Sequence, residues 1–443
     1  MAQARNPAEL LRTLLAFDTT NPPGNETACI RWVDRLLRSA GLETVLVGDN
    51  PERLNLVTRL RGRGEGPGLL VHGHVDVVPT DGQAWSVPPF DAVLKDGVLW
   101  GRGALDMKGS VATILAALLR MQQEGVKPAG DVVVAIVADE EAGSEHGAGF
   151  LVREHPHLFR GIRYAVGEGG GHSVEMGGQR LYPIAIAEKR VCWMRIRLKG
   201  QGGHGSSPVF GGAMARLRAL LEALDSRWLP VHITEATRQQ VTAMARATGA
   251  PLSTQLPALL DPSRTDATLA ELGPLARRFG PLLHHTVSVT RIHASDKVNV
   301  IPSEITVEVD GRLLPGYAAP DLVAEVEQRL EGIPHELEII RTEPPGNGAS
   351  PDLTGYEALA ALLRELDPDG IPVPSVTAGF TDGCQFSKLG IQNYGCLPAR
   401  FPADFQGDGL VHAADERIPV SALDFGAEGV YQILTQFGSA IAR

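Results

Sequence analysis

The run at 131–138, DVVVAIVA, constrains the fold more than any other stretch of this chain. It is apolar and largely β-branched, without the alternation of a half-wet strand, so it reads as a strand buried on both faces. Such a strand needs helices on each side of its sheet. The neighbouring pattern supplies them: helices over 10–15, about 26–40 (ended by Gly41) and 110–123 alternate with strands over 44–47, 54–60 and 69–74. Asn21-Pro22-Pro23-Gly24 breaks the first helix. Strands alternating with helices predict an α/β sheet.

From Val191 the pattern changes to a strand (191–199), a helix (212–224), two strands (286–293 and 304–313), a helix (320–330) and a strand (336–341). That βαββαβ order predicts a self-contained ferredoxin-like unit. A Pro- and Ala-rich excursion of helical character, 230–283, interrupts it and has no assignable fold. After Pro344 the first pattern resumes with a helix near 356–366, short strands around Ser375 and Tyr394, and a last helix beyond Pro419. The expected division is therefore 1–189 and 345–443 as two parts of one large domain, with 190–344 inserted between them.

Composition narrows the function classes. The 443 residues are 43% hydrophobic and 21% charged, enough to build a sizeable core. A net charge of −11 argues against a nucleic-acid or acidic-membrane partner, because both would be repelled. Cys29, Cys192, Cys384 and Cys396 show no paired spacing, so neither a disulfide framework nor a cysteine zinc site is expected, and the compartment reads as reducing. The first residues lack an apolar signal core, and no apolar run reaches the ~18 residues that cross a bilayer. The expectation is a cytoplasmic chain.

Residues that carry chemistry collect where the strands end, the usual place for ligands in an open α/β sheet. The strand at 69–74 runs into His72, His74 and Asp76. His74 and Asp76 are two apart and leave an extended backbone on the same side. This suits a metal ligand with a carboxylate behind it, and equally a buried histidine satisfied by one hydrogen bond. Asp106 lies in GRGALDMKG, where a lone Asp before a helix is ordinarily an N-cap. Asp139, Glu140 and Glu141 follow the most apolar strand; unneutralised they would raise one another's pKa, so either a cation lies near them or the turn is solvated. Glu168 stands among glycines that admit close approach. His412, in GLVHAADERI, reads alone as a surface or capping histidine. Together, two imidazoles and three carboxylates form a hard, oxygen-rich set suited to a pair of zinc-like ions.

HGHVDVVP, GRGALDMKG, ADEEAG, GQGGHGSSP and VHAADER occur in one order along nearly the whole chain. With them the chain resembles the M20 family of metallopeptidases, which includes aminoacylases, glutamate-type carboxypeptidases and deacylases. The resemblance implies a phosphorylase/hydrolase-like α/β/α catalytic domain with an inserted ferredoxin-like lid, through which two copies form a homodimer. It implies that His74, Asp106 and Glu168 hold one zinc ion and Asp106, Glu141 and His412 the other, with cobalt or manganese as substitutes. Glu140 would be the general base and later the proton donor to the leaving amine. Asp76 would fix the His74 tautomer, leaving His72 a structural role, and the Asp106–Met107 peptide would be cis. In the insert, His204 would reach the oxyanion of the partner subunit's substrate. Asn299 and Arg312 would bind substrate, the Arg fork suiting a carboxylate. Without the family, His204 is a histidine in a glycine loop and Arg312 fits a surface salt bridge equally well.

Two departures from the family pattern stand out. The stretch Gly379-Phe380-Thr381-Asp382-Gly383-Cys384 lacks the usual Arg, and Arg190 replaces a glycine near the hinge. Glu at 168 resembles the acylases and carboxypeptidases. The expected reaction is hydrolysis of an amide bond, in a small peptide or N-acyl amino acid, that releases an amino acid with a free α-carboxylate. The alternatives are a dipeptidase or a biosynthetic N-succinyl or N-acetyl deacylase. A metal-free binding protein is a further alternative, against which the presence of the base and all five ligands speaks.

Overall fold

The computed structural model describes residues 6–343, 350–405 and 407–441. The constraining run forms the strand Val132–Val137, buried along its whole length. It lies between Asn55–Leu60, which is antiparallel to it, and Gly68–His74, which is parallel. The mixed sheet continues through Ile162–Gly167, Gln392–Gly395 and Gln179–Glu188 to an edge at Ile371–Thr377. Two-residue alternation sends side chains into two cores. Leu69, Val71, Val132 and Val134 share one with the helices Pro7–Leu15, Lys108–Glu124 and Val420–Ile441. Leu70, Val133, Ala135 and Val137 share the other with Ala148–Glu154 and Gly383–Ser387. The layers are thus α/β/α. Helix Lys108–Glu124 is buried almost all round because it lies between the sheet and two other helices.

The βαββαβ order is realised by Arg190–Lys199, Ala213–Asp225, Thr286–His293, Glu304–Leu313, Ala319–Arg329 and Glu336–Thr342. Its strands form a separate antiparallel sheet in the spatial order Thr286–His293, Glu304–Leu313, Arg190–Lys199, Glu336–Thr342, which is ferredoxin-like. Met194, Ile196, Val307, Val309, Leu322 and Val326 belong to its own core. Lys189, buried between the two sheets, donates to the carbonyls of Pro281 (2.8 Å) and His284 (3.0 Å) and to Thr286 Oγ1 (3.0 Å). The expected boundary at 344/345 lies outside the described residues.

The excursion at 230–283 contains the helices Glu235–Ala247, Thr265–Leu272 and Ala276–Leu283. They pack on the large sheet: Val241, Met244, Leu259 and Phe279 share a core with Leu181 and Val373. The edge strand Ile371–Thr377 carries Pro372 and Pro374, and Gln240 Oε1 accepts the Val376 N–H at 2.8 Å. The helix therefore covers an edge that would otherwise present unpaired groups. The sequence pattern does not predict strand Gln179–Glu188, because Pro183 in its interior weakens the strand signal. All four cysteines are free and buried. No helix among the described residues is long and apolar enough to cross a membrane.

Candidate active site

Val132–Val137, Gly68–His74 and Ile162–Gly167 run parallel, so their C-terminal ends open at one edge of the sheet. His74 ends the middle strand, Glu140 and Glu141 follow the first, and Glu168 follows the third. Asp106 comes from the turn before Lys108–Glu124, and its peptide bond to Met107 is cis. It caps nothing: the helix has no side-chain cap. His412 arrives from a turn near the C-terminus with φ 63°.

His74 Nε2 lies 3.3 Å from Asp106 Oδ1 and 3.5 Å from Glu168 Oε2. His412 Nε2 lies 3.1 Å from Asp106 Oδ2 and 3.2 Å from Glu141 Oε2. Asp106 thus turns one oxygen toward each imidazole. Ligating atoms of His74, Glu140 and Glu168, and of His74, Asp106 and Glu141, fall within 4.8 Å of one another. His74 Nε2 is buried and has no hydrogen-bond partner. An orphaned imidazole nitrogen facing carboxylates at these distances fits a divalent-cation site.

The electrostatics agree with that fit. Burial, then Glu168, holds Glu140 well above the usual carboxylate range. Burial pushes Glu141 up to about 7 against the hydrogen bond from His412, and Glu168 is likewise raised by burial. Burial opposes ionisation of Asp106 too, but His412 and His74 outweigh it and hold its carboxyl well below the ordinary value. Hydrogen bonds to Asp106 and Glu141 raise His412 to about 10. Crowded acids of this kind are relieved by a bound cation.

Asp76 makes contacts beyond the one the resemblance implies. His74 Nδ1 lies 3.1 Å from the Asp76 backbone carbonyl and 3.4 Å from Oδ1. The carboxylate accepts the backbone N–H groups of Glu140 and Glu141, each at 3.1 Å, and the side-chain amide of Asn21 at 2.9 Å. It therefore shapes the acidic turn as well as orienting the histidine. Asp139, in a left-handed conformation (φ 68°), points away toward Asn21 (3.1 Å) and Arg53 (2.9 Å), and Arg53 also pairs with buried Glu26. His72 bonds Asn393 Oδ1 at 3.0 Å and packs on Phe386.

Glu416, unassigned in VHAADER, accepts the N–H groups of Gly103 (3.0 Å), Leu105 (2.7 Å) and Asp106 (3.0 Å) and pairs with buried Arg102 at 2.7 Å. The stretch that departs from the family pattern supplies Asp382. Burial pushes that carboxyl up to about 8, and its Oδ1 accepts the Ser144 hydroxyl at 2.6 Å. Asn21, Arg53, Asp382 and Glu416 carry no signal of their own in the sequence, since each acts on a segment far away along the chain.

A cavity of ≈ 510 Å³ covers the carboxylates and is walled on the lid side by Arg312 and Arg341. The Arg312 fork engages Asp310 at 2.8 and 3.0 Å. Arg341 lies over the Trp193 ring and donates to the Gly143 carbonyl at 2.7 Å. His204 and Asn299 are not in this wall. They sit together on an exposed ribbon, where Gly205 N–H donates to the Asn299 carbonyl at 2.9 Å. Ser206 N–H donates to His204 Nδ1 at 3.2 Å, so a neutral His204 carries its proton on Nε2.

The sequence profile of Peptidase family M20/M25/M40 matches residues 70–436. The mouse protein N-fatty-acyl-amino acid synthase/hydrolase PM20D1 is 26% identical over 381 residues, covering 81% of this chain and 72% of that protein. Succinyl-diaminopimelate desuccinylase of Cereibacter sphaeroides is 30% identical over 262 residues, 57% of this chain and 65% of its own. The fold is similar to that of the M20 family metallo-carboxypeptidase Sso-CP2 from Sulfolobus solfataricus, with a TM-score of 0.72 at 16% identity over 97% of this chain and 98% of that one.

Proposed function

Because this chain belongs to peptidase family M20/M25/M40 and is a hydrolase, we propose that it cleaves the amide bond of an N-acyl amino acid or small peptide and releases an amino acid with a free α-carboxylate. The observation that carries this reading is Asp106, set between His74 and His412 at 3.3 and 3.1 Å, beneath a cavity with two arginines in its wall. His74, Asp106 and Glu168 would hold one divalent ion and Asp106, Glu141 and His412 a second, zinc in the first instance. Such ions supply Lewis-acid charge that lets water ionise near neutral pH and polarises the scissile carbonyl.

The chain's own groups do the rest. Glu140 takes a proton from the attacking water and returns it to the leaving nitrogen, so water is divided between the acid and the amine. Asp76 holds Glu140 in place through its backbone N–H. His204, with its proton on Nε2, donates from a second copy to the developing oxyanion. Arg341, and Arg312 once its fork leaves Asp310, receive the α-carboxylate by charge-assisted hydrogen bonds. The name of the mouse relative supports an N-acyl amino acid as substrate.

The test compares N-acyl amino acids and dipeptides bearing free and amidated α-carboxylates, on protein loaded with zinc, cobalt or manganese. Amidation should lower kcat/KM by about tenfold or more, the loss of a charged hydrogen bond. Equal turnover of both forms would sink the assignment of the carboxylate side.

A further inference from the structure

We propose that Gln83 is a positioning residue for the second divalent ion: its side-chain amide latches the turn that carries His412, and the ion held there is the exchangeable one of the pair. This rests on the reading of the protein as a two-ion hydrolase and adds what decides the occupancy of the outer half of its site.

The two imidazoles are held very differently. His74 ends a strand with a neighbouring strand on each side, and its side chain is 0% exposed. The sheet alone fixes its backbone. His412 comes from a turn, is left-handed at φ 63°, and has a side chain 50% exposed. Asp415, three residues on, is left-handed too (φ 61°). Residues other than glycine stay in that conformation only where their surroundings hold them.

The surroundings are the segment 83–86 and Arg102. Gln83 Nε2 donates to the His412 carbonyl at 2.8 Å, and Arg102 Nη2 adds a longer bond to the same oxygen at 3.3 Å. Gln83 Oε1 accepts Arg102 Nη2 at 2.7 Å and Trp85 Nε1 at 3.2 Å. Both of those partners are donors only, so the amide has one orientation and its Nε2 end faces His412. Ser86 completes the clasp, donating its backbone N–H and its hydroxyl to the Asp415 carboxylate at 2.7 Å each.

Arg102 and Gln83 contribute differently. Arg102 is 1% exposed and pairs with buried Glu416 at 2.7 Å, so its loss would strand a buried charge and destabilise the fold. Gln83 is neutral, half-buried, and makes the shorter bond to His412. Its removal frees the turn but leaves the strand ends with His74 and Glu168 as they were, and Glu416 still holds the Asp106 N–H. The group behind a metal ligand commonly changes affinity by about 10- to 100-fold. Here that change falls on one ion of the two.

The experiment titrates metal-free protein with cobalt(II), followed by visible absorption and by calorimetry. The native chain should take up two ions. Gln83→Met, close to glutamine in volume and without the amide, should bind one ion with native affinity and the other about 10- to 100-fold more weakly. The second increment of absorption should be missing at the concentrations that fill the native site, as it is in His412→Ala, which removes the ligand itself. Gln83→Asn, an amide too short to reach both Arg102 and His412, should weaken the same ion and decides alone if Gln83→Met does not fold. Native affinity for both ions in these variants, or an equal weakening of both, overturns this inference and leaves the proposed reaction standing. A native chain that binds fewer than two ions removes the two-ion reading along with it.

Discussion

Glu140 and Glu141 are neighbours in sequence with different environments. Both N–H groups are held by Asp76, while the Glu141 carboxylate meets His412 and that of Glu140 lies near His74 and Glu168. If Glu140 moves protons and binds no ion, Glu140→Gln removes the base but preserves shape. The expected outcome is unchanged zinc content and a fall in kcat of about 10²- to 10⁴-fold; native turnover in that variant would eliminate the proposed base. At this scale His74, Glu141 and Glu168 were legible because each stands where a strand pattern stops, while Asp106 and His412 were legible only through the motifs around them. The residues that place them were not. Asn21 lies 55 residues from Asp76, and Glu416 lies 310 from Asp106, distances no local pattern spans.

Among elements, the junction of strand Thr286–His293 with helix Ala319–Arg329 has a consequence for stability. His285 is fully buried, its Nδ1 accepts the Leu314 N–H at 3.1 Å, and its ring lies 4.8 Å from those of His232 and Tyr317. Burial, then the nearby His232 and Lys189, pushes the imidazole down to about 3 from an ordinary 6.5, against the pull of Asp321. The unfolded chain takes up this proton below the ordinary value, and the folded chain does not until near the depressed one. Stability is therefore complete above that ordinary value and falls as the pH drops through the interval, by up to about 1.4 kcal/mol per pH unit. His285→Gln keeps an acceptor for Leu314 and removes the titration. Urea unfolding between about pH 6 and pH 4.5 should show a shallower loss than in the native chain; parallel slopes would show that His285 does not carry the effect. Sequence periodicity identified the strands and helices here, yet it could not say that helices 235–283 belong to the other sheet. An apolar helix face shows that something is covered, without naming the partner.

For the whole molecule, the position of His204 matters most. It lies on an exposed ribbon away from the cavity, beside bare apolar side chains such as Phe210 and Val298, 93% and 108% exposed. Apolar surface of this kind suits a contact with a second copy, in which His204 would complete the partner's site. Complementation tests that arrangement. His204→Ala and Glu140→Gln should each be poorly active alone, while mixing them with subunit exchange should restore about a quarter of the native activity, since half of the dimers hold one intact site. No recovery on mixing would show that His204 does not act across an interface.

The strand and helix periods and the acidic strand ends are local patterns, each visible within a dozen residues, and their succession along the chain gives the βαββαβ order, so the chain carried its α/β/α layers and its candidate ligands on its face. Other features depend on where distant segments meet. Asp106 stands between two histidines 338 positions apart in the numbering, 74 and 412. Asp76 turns its carboxylate to the acidic turn, Glu416 organises the glycine loop, and Gln83 reaches the His412 carbonyl. Packing brings these groups to within hydrogen-bond distance, and it is that proximity, which no local period encodes, that makes a site of the 131–138 strand and its neighbours.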